Sequence, residues 1–78
     1  MDLSPELMEE LHILTLFDLS TSQAGIKVHH TAEPESIAAT ERLHDKGLLS
    51  QADGGYLTSL GHDAAEHAQA LMTILSRP

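Results

Sequence analysis

The sequence contains no cysteine and no tryptophan, and it has one Phe and one Tyr among 78 residues. Without cysteine, disulfides and thiolate metal sites are excluded. Because aromatic side chains are so few, the core has to be built from Leu, Ile, Ala and Met. A chain of this length buries only about 60% of its unfolded surface, so we expect one modestly stable domain over residues 1–78.

Basic side chains are also scarce, since four Lys and Arg face twelve Asp and Glu and give a formal charge of −8. This charge repels polyanions at long range. Nucleic acid is therefore possible but disfavoured as an unaided partner. Six histidines qualify this expectation, because protonating all of them adds six charges to −8 and leaves −2, and the unperturbed His pKa is about 6.5.

Long hydrophobic runs are missing as well. The N-terminus lacks a basic stretch, and Glu9, Glu10 and His12 interrupt the first apolar segment. The sequence predicts neither a signal peptide nor a membrane span. We expect a cytoplasmic protein with no membrane partner.

The first helix is predicted by Ser4 as N-cap and Pro5 at the first helical position. Three acidic residues near its start suit the positive end of the helix dipole: Glu6, Glu9 and Glu10. Its apolar residues occupy more than one face: Leu7, Leu11 and Leu14, with Met8, Ile13 and Phe17 beside them. This pattern indicates a helix that is covered on two sides.

The next segment, residues 18–31, is ambiguous. Ser20 or Thr21 can cap a short helix, whereas residues 26–28 alternate in polarity like a strand. The short helix is the favoured interpretation.

A second helix is predicted from Thr31–Pro34 to Lys46, and Gly47 ends it. Residues 48–52 and 56–58 then flank the turn sequence Asp-Gly-Gly at 53–55, which predicts a β-hairpin. The register stays open, because loops of two and three residues pair different faces.

The last helix begins after Thr58 as N-cap, and an apolar stripe runs along it: Ala64, Ala68, Leu71 and Leu75. The predicted fold is α+β and mostly helical, in the order helix, short helix or strand, helix, β-hairpin wing and C-terminal helix. The apolar faces of the first and last helices predict a homodimer through these two helices.

Two segments flank and follow the predicted hairpin: residues 46–49 (Lys-Gly-Leu-Leu) and residues 55–61 (Gly-Tyr-Leu-Thr-Ser-Leu-Gly). They resemble the K-G-L-[IL] and G-Y-x-L-T-x-x-G run of bacterial winged-helix regulators, particularly the MarR-like and PadR-like families. The resemblance covers about residues 33–70, and it departs from the pattern where Tyr56 and Leu57 are adjacent. It implies that the helix before Gly47 enters the major groove, that the hairpin is the wing and that the last helix packs on the first.

The whole chain also resembles a small uncharacterised gammaproteobacterial family, on segments 22–30 (Ser-Gln-Ala-Gly-Ile-Lys-Val-His-His) and 51–58 (Gln-Ala-Asp-Gly-Gly-Tyr-Leu-Thr). Members of that family are labelled as hypothetical or as candidate DNA-binding proteins. The resemblance implies DNA binding by analogy.

These resemblances lead to the hypothesis of a small DNA-binding-type transcriptional regulator or accessory factor. The alternative is an acidic winged-helix adaptor that binds or dimerises with proteins and not with DNA, because the second helix carries more acids than bases. Either function would use one candidate interaction surface: Lys27, His29, His30, Ser36, Thr40, Arg42, Lys46, Gln51 and Asp53.

The sequence predicts no enzyme, no cofactor and no metal site. His62 and Glu66, like Asp63 and His67, have the i, i+4 spacing of helical metal ligands, but the favoured interpretation is a solvated helix face. No serine has the Gly-x-Ser-x-Gly setting of a nucleophile, and the Gly-Gly pair is read as a hairpin turn and not as a phosphate cradle.

Overall fold

The computed structural model describes residues 3–21, 25–29 and 31–78. The elements are, in chain order, α1 (Pro5–Thr15), β1 (Ile26–Lys27), α2 (Pro34–Asp45), β2 (Leu49–Gln51), β3 (Gly54–Leu57) and α3 (Ser59–Leu75). The α+β, mostly helical class is confirmed. Among the described residues, no helix is both long enough and apolar enough to cross a bilayer.

The helix starts follow the local signals. At α1, the Leu7 N–H donates to Ser4 Oγ over 3.1 Å, and at α3 the Gly61 N–H donates to Thr58 Oγ1 over 3.0 Å. Both N-cap predictions are confirmed. The start of α2 differs, because Glu33 occupies its N-cap position and makes no capping bond through its side chain.

The core lies between the helices and one side of the hairpin. Its fully buried apolar residues come from α1 and the turn after it, α2, β2 and α3: Ile13, Leu14, Phe17, Ala39, Leu43, Leu49, Ala65 and Ala68. Leu7 and Leu11 are only half-buried. The side of α1 that packs inward therefore centres on Ile13, Leu14 and Phe17.

The short helix favoured within residues 18–31 is wrong for the described part of that segment, which forms a strand at 26–27 and no helix. Residues 22–24 and 30 lie outside the described residues. The three antiparallel strands have the order β1-β3-β2, and Ile26 and Lys27 pair with Gly55 and Gly54. Strand partners in the distant hairpin therefore stabilise an extended conformation that local propensity did not favour.

The hairpin turn is displaced from the predicted position at residues 53–55. Gln51 pairs with Gly54, so the loop has two residues and both glycines belong to β3, where β1 pairs with them. The register is irregular between Leu49 and Gln51, and there the Ser50 hydroxyl accepts the Tyr56 N–H over 2.8 Å.

One junction holds the end of α2, the hairpin and the start of α3 together. Gly47 has φ +83°, and the N–H groups of Gly47 and Leu48 bond back to the carbonyls of His44 and Leu43, which is a Schellman C-cap. The Thr58 hydroxyl, which caps α3, also donates to the Gly47 carbonyl over 2.6 Å. The Thr58 N–H donates to the Leu48 carbonyl over 3.0 Å.

Replacing Gly47 by Val is expected to lower the free energy of unfolding by more than about 1 kcal/mol, because a β-branched residue disfavours the left-handed region. Nothing lies within 4 Å of a Cβ at this position, so the loss comes from the backbone. Gly47→Asn is the matched control and should lose less, since Asn tolerates that region. Urea unfolding followed by circular dichroism measures both, and an unchanged midpoint for Val would contradict the left-handed cap.

Replacing Gly61 by Ala should destabilise the domain by about 2 kcal/mol, although Ala is normally the better helix former. A Cβ at Gly61 would lie 1.9 Å from the carbonyl oxygen of Leu48, which is a backbone atom. Ser59→Ala, in the same turn but exposed, is the control and should change little. A gain in melting temperature for Gly61→Ala would show that α3 does not approach the hairpin this closely.

Candidate interaction surface

The predicted surface residues do not form one continuous face. Four of them line a groove of about 500 Å³ between β1, α2 and the hairpin loop: Lys27, His29, Thr40 and Asp53. Ser36 lines a neighbouring groove that shares Lys27 and His29. Arg42 and Lys46 point instead toward α1, and Gln51 is exposed on β2. His30 lies outside the described residues.

The groove between β1, α2 and the loop has mixed charge. Lys27 and His29 line it together with the carboxylates of Glu41 and Asp53. Thr40 is fully buried, and its hydroxyl donates to the Ser36 carbonyl over 2.7 Å, so this polar group is satisfied within α2. The groove therefore offers no concentrated positive charge to a polyanion.

Three of the predicted surface residues connect α2 and its C-cap to α1: Ser36, Arg42 and Lys46. The Ser36 hydroxyl donates to Glu9 Oε1 over 3.0 Å. The Arg42 guanidinium donates through Nε to Glu10 Oε2 over 3.0 Å and through Nη2 to the Glu6 carbonyl over 3.1 Å. All three of these hydrogen bonds join α1 to α2, so the Ser36 and Arg42 side chains serve the fold.

Glu10 is the centre of this connection. Its side chain is 6% exposed, and its second oxygen, Oε1, accepts a hydrogen bond from Lys46 Nζ. Burial alone would raise the pKa of this carboxyl, but hydrogen bonds and charges from Lys46 and Arg42 outweigh burial and lower the pKa of Glu10 below its usual value. Both cations of α2 are therefore engaged by a buried carboxylate on α1.

Sequence reasoning assigned Glu10 only to the positive end of the helix dipole and missed this role. A signal was present, because Glu10 takes the middle place in a heptad-spaced stripe that runs through α1 and the residues flanking it, and whose other members are apolar: Leu3, Leu7, Leu14 and Phe17. An acid within an apolar stripe indicates a buried charge that needs a partner. Arg42 and Lys46 supply that partner with i, i+4 spacing on α2.

A second polar group lies on α3. His62 Nδ1 is 2.7 Å from Glu66 Oε1, and ligand atoms of His62, Asp63 and Glu66 all lie within 4.8 Å of one another. His67 Nδ1 bonds to the Asp63 carbonyl over 2.7 Å and not to its carboxylate. The group is half-buried to exposed, which fits the solvated helix face that the sequence predicted.

Residues 1–76 match the model of a family described as of unknown function, DUF5669. The chain belongs to that family. DUF5669 carries neither a winged-helix nor a DNA-binding description, and it is consistent with the small uncharacterised family expected from the sequence. No curated protein and no solved structure matched the chain.

Replacing Glu10 by Gln should cost about 1–2 kcal/mol of unfolding free energy at pH 7, a value reduced because both cations are partly solvated. The lowered pKa means that ionised Glu10 stabilises the fold above its unfolded pKa, near the ordinary value of 4.5. That contribution is lost as pH falls through the lower folded pKa. The stability difference between wild type and Glu10→Gln should therefore shrink below about pH 4.5.

Denaturant unfolding at several pH values measures this difference. Glu6→Gln is the matched control, because Glu6 is exposed and meets Arg42 through its backbone carbonyl. A Glu10→Gln variant as stable as the Glu6→Gln variant at pH 7 would contradict the bridging role.

Proposed function

We propose that this domain is a small binding module of winged-helix-like architecture that acts through protein contacts and not by direct contact with DNA. The observation that carries the proposal is that Arg42 and Lys46 are both bound by Glu10 inside the domain. These residues are the cations of the helix that the winged-helix resemblance would place in the major groove.

The winged-helix-like part of the proposal is supported by the order of α2, the β2–β3 hairpin and α3, with β1 completing the sheet. The residues that carry the resemblance also have physical roles, since Gly47 ends α2, Thr58 caps α3 and Gly61 allows close approach to the hairpin. The connection between α1 and α2 differs from that of a helix-turn-helix motif, whose helices are joined by a turn of three or four residues. In this chain residues 16–33 separate the two helices.

The charge distribution supports protein contacts. Phosphate binding needs several Lys or Arg donors, and the chain has four. Among the residues that the structure describes, Lys27 and Arg77 form no ion pair. Lys27 shares its groove with two acids, and Arg77 follows the last helix. The groove beside Arg42 is lined by three carboxylates, those of Glu6, Glu9 and Glu35.

A DNA-binding regulator is the second candidate, and the Lys-Gly-Leu-Leu and Gly-Tyr-Leu-Thr-Ser-Leu-Gly segments favour it. The two candidate functions predict different binding to duplex DNA. A regulator should bind DNA with an affinity that falls steeply with salt, whereas the proposed module should bind weakly and without sequence preference.

We expect the wild-type protein to bind random duplex DNA with an apparent dissociation constant weaker than about 10⁻⁵ M at neutral pH and about 0.15 M salt. Fluorescence anisotropy at two salt concentrations measures the affinity and its salt dependence. Lys27→Gln, which removes an exposed cation, should change the affinity little. Micromolar or tighter binding, or tight binding to one sequence only, would favour the regulator.

The same titration tests the role of Glu10. Glu10→Gln should steepen the slope of log K against log salt by about 1–2, because it frees two cations for phosphate. Glu6→Gln removes the same formal charge without freeing a cation, so its slope should stay that of the wild type. Equal slopes for the two variants would show that Glu10 does not restrain these cations.

A further inference from the structure

The last two turns of α3 extend the apolar side of the helix beyond the domain's own core. Gly61, Ala65 and Ala68 are buried and follow one another at spacings of four and three residues. The same spacing continues to Met72 and Leu75, but exposure rises from 4% at Ala68 to 48% and 66% at these two positions. The stripe that packs inward over the first part of α3 is therefore uncovered at its end.

Neighbouring positions widen this exposed region. Leu71 is 50% exposed and Ile74 is 60% exposed, so four large apolar side chains occur within five residues. We call Leu71, Met72, Ile74 and Leu75 the α3 patch. A helix that is apolar around most of its circumference is normally buried, and a contiguous exposed apolar patch marks an interaction site.

The end of α1 lies next to the α3 patch. The Gln69 side-chain amide donates to the carbonyls of Leu14 and Phe17, over 3.2 and 2.8 Å. These bonds fix the last turn of α1 beside the turn of α3 that precedes the patch. Leu16, which lies between the two acceptors in sequence, is 53% exposed. It follows α1 and lines the groove that Lys27, His29 and Ser36 also line, so among the described residues the apolar surface at the end of α3 is formed by α3 alone.

The charge pattern limits what can cover the patch. Residues 68–76 carry no charged side chain, in a chain whose formal charge is −8. Two copies of an acidic chain repel each other except where their surfaces are neutral. The patch is such a surface, so two copies can meet there without placing carboxylates against one another, and an isologous two-fold contact pairs each patch with its own equivalent.

We propose that the α3 patch is the contact surface for a second copy of this chain. This names the partner of the protein-contact module and rests on that proposed function. The four half-exposed side chains of the patch offer on the order of 400 Å² from each subunit, which is the size of a small, transient contact. The homodimer is therefore weak and reversible, and it forms over the micromolar range.

Sedimentation equilibrium on the full chain between about 1 and about 500 μM tests the proposal, since this range brackets weak specific association. The average mass of the wild type should rise from 8.4 kDa toward twice that value. Met72→Glu should weaken association by about 30-fold or more, because it places a charge in an apolar contact. Leu60→Glu is the matched control, since Leu60 is 57% exposed in the first turn of the same helix, and it should leave association unchanged.

A second measurement locates the contact independently of stability. The chain has no cysteine, so a single Thr73→Cys substitution permits spin labelling within the patch, and Gln51→Cys places a label on β2 as a reference. In the dimer, dipolar electron resonance should give a shorter distance between the labels at position 73 than between those at position 51. Circular dichroism checks that each variant is folded.

The outcomes separate this proposal from the proposed function. A chain that stays at 8.4 kDa throughout overturns the second copy as partner, and so does a dimer that Met72→Glu leaves intact. Neither result bears on the DNA titration, which alone decides between protein contacts and DNA. Concentration-dependent mass that Met72→Glu abolishes and Leu60→Glu retains supports the α3 patch.

Discussion

The buried carboxylate of Glu10 joins α1 to α2 by binding Arg42 and Lys46, which lie 32 and 36 residues away along the chain. A small domain with one Phe and one Tyr has little aromatic surface to bury, so this polar connection and the Ser36–Glu9 hydrogen bond add specific contacts to an aliphatic core. Glu10 satisfies its own buried charge and fixes the orientation of the two cations in the same arrangement.

This arrangement has a consequence for what the surface can bind. Turning Arg42 and Lys46 toward phosphate would cost free energy. Glu10 would then be a buried carboxylate without a partner, and its desolvation would no longer be compensated. Arg42 and Lys46 are therefore directed toward α1, while the end of α3 exposes apolar side chains. Both features support the proposal of protein contacts.

Features that depend on near neighbours in the sequence could be predicted. Ser4 and Thr58 cap their helices and Gly47 ends α2, because a side-chain acceptor or a missing Cβ acts on backbone groups within a few residues. The strand at Ile26–Lys27 was not favoured, since its partners are Gly54 and Gly55 in a distant hairpin. The hairpin register could not be predicted either, because it depends on whether Gly54 and Gly55 belong to the loop or to the strand that pairs with β1.

The candidate surface was predictable only in part. Lys27, His29, Thr40 and Asp53 do meet in one groove, but Arg42 and Lys46 are drawn away by Glu10, whose partners cannot be identified from local pattern. Likewise, Leu71 and Leu75 continue the stripe of Ala68 in sequence, yet the core ends before them. Where a core ends is a property of the packed elements and not of one helix.

Titration of the Glu10 carboxyl carbon by NMR between about pH 2 and about pH 7, around the usual carboxyl range, tests whether this carboxylate holds Arg42 and Lys46. Glu10 should titrate below its usual pKa, and the Arg42 Nε resonance should shift with the same midpoint. A Glu10 pKa at or above the usual value, with an Arg42 resonance that does not follow it, would show that the cations of α2 are not held by this carboxylate.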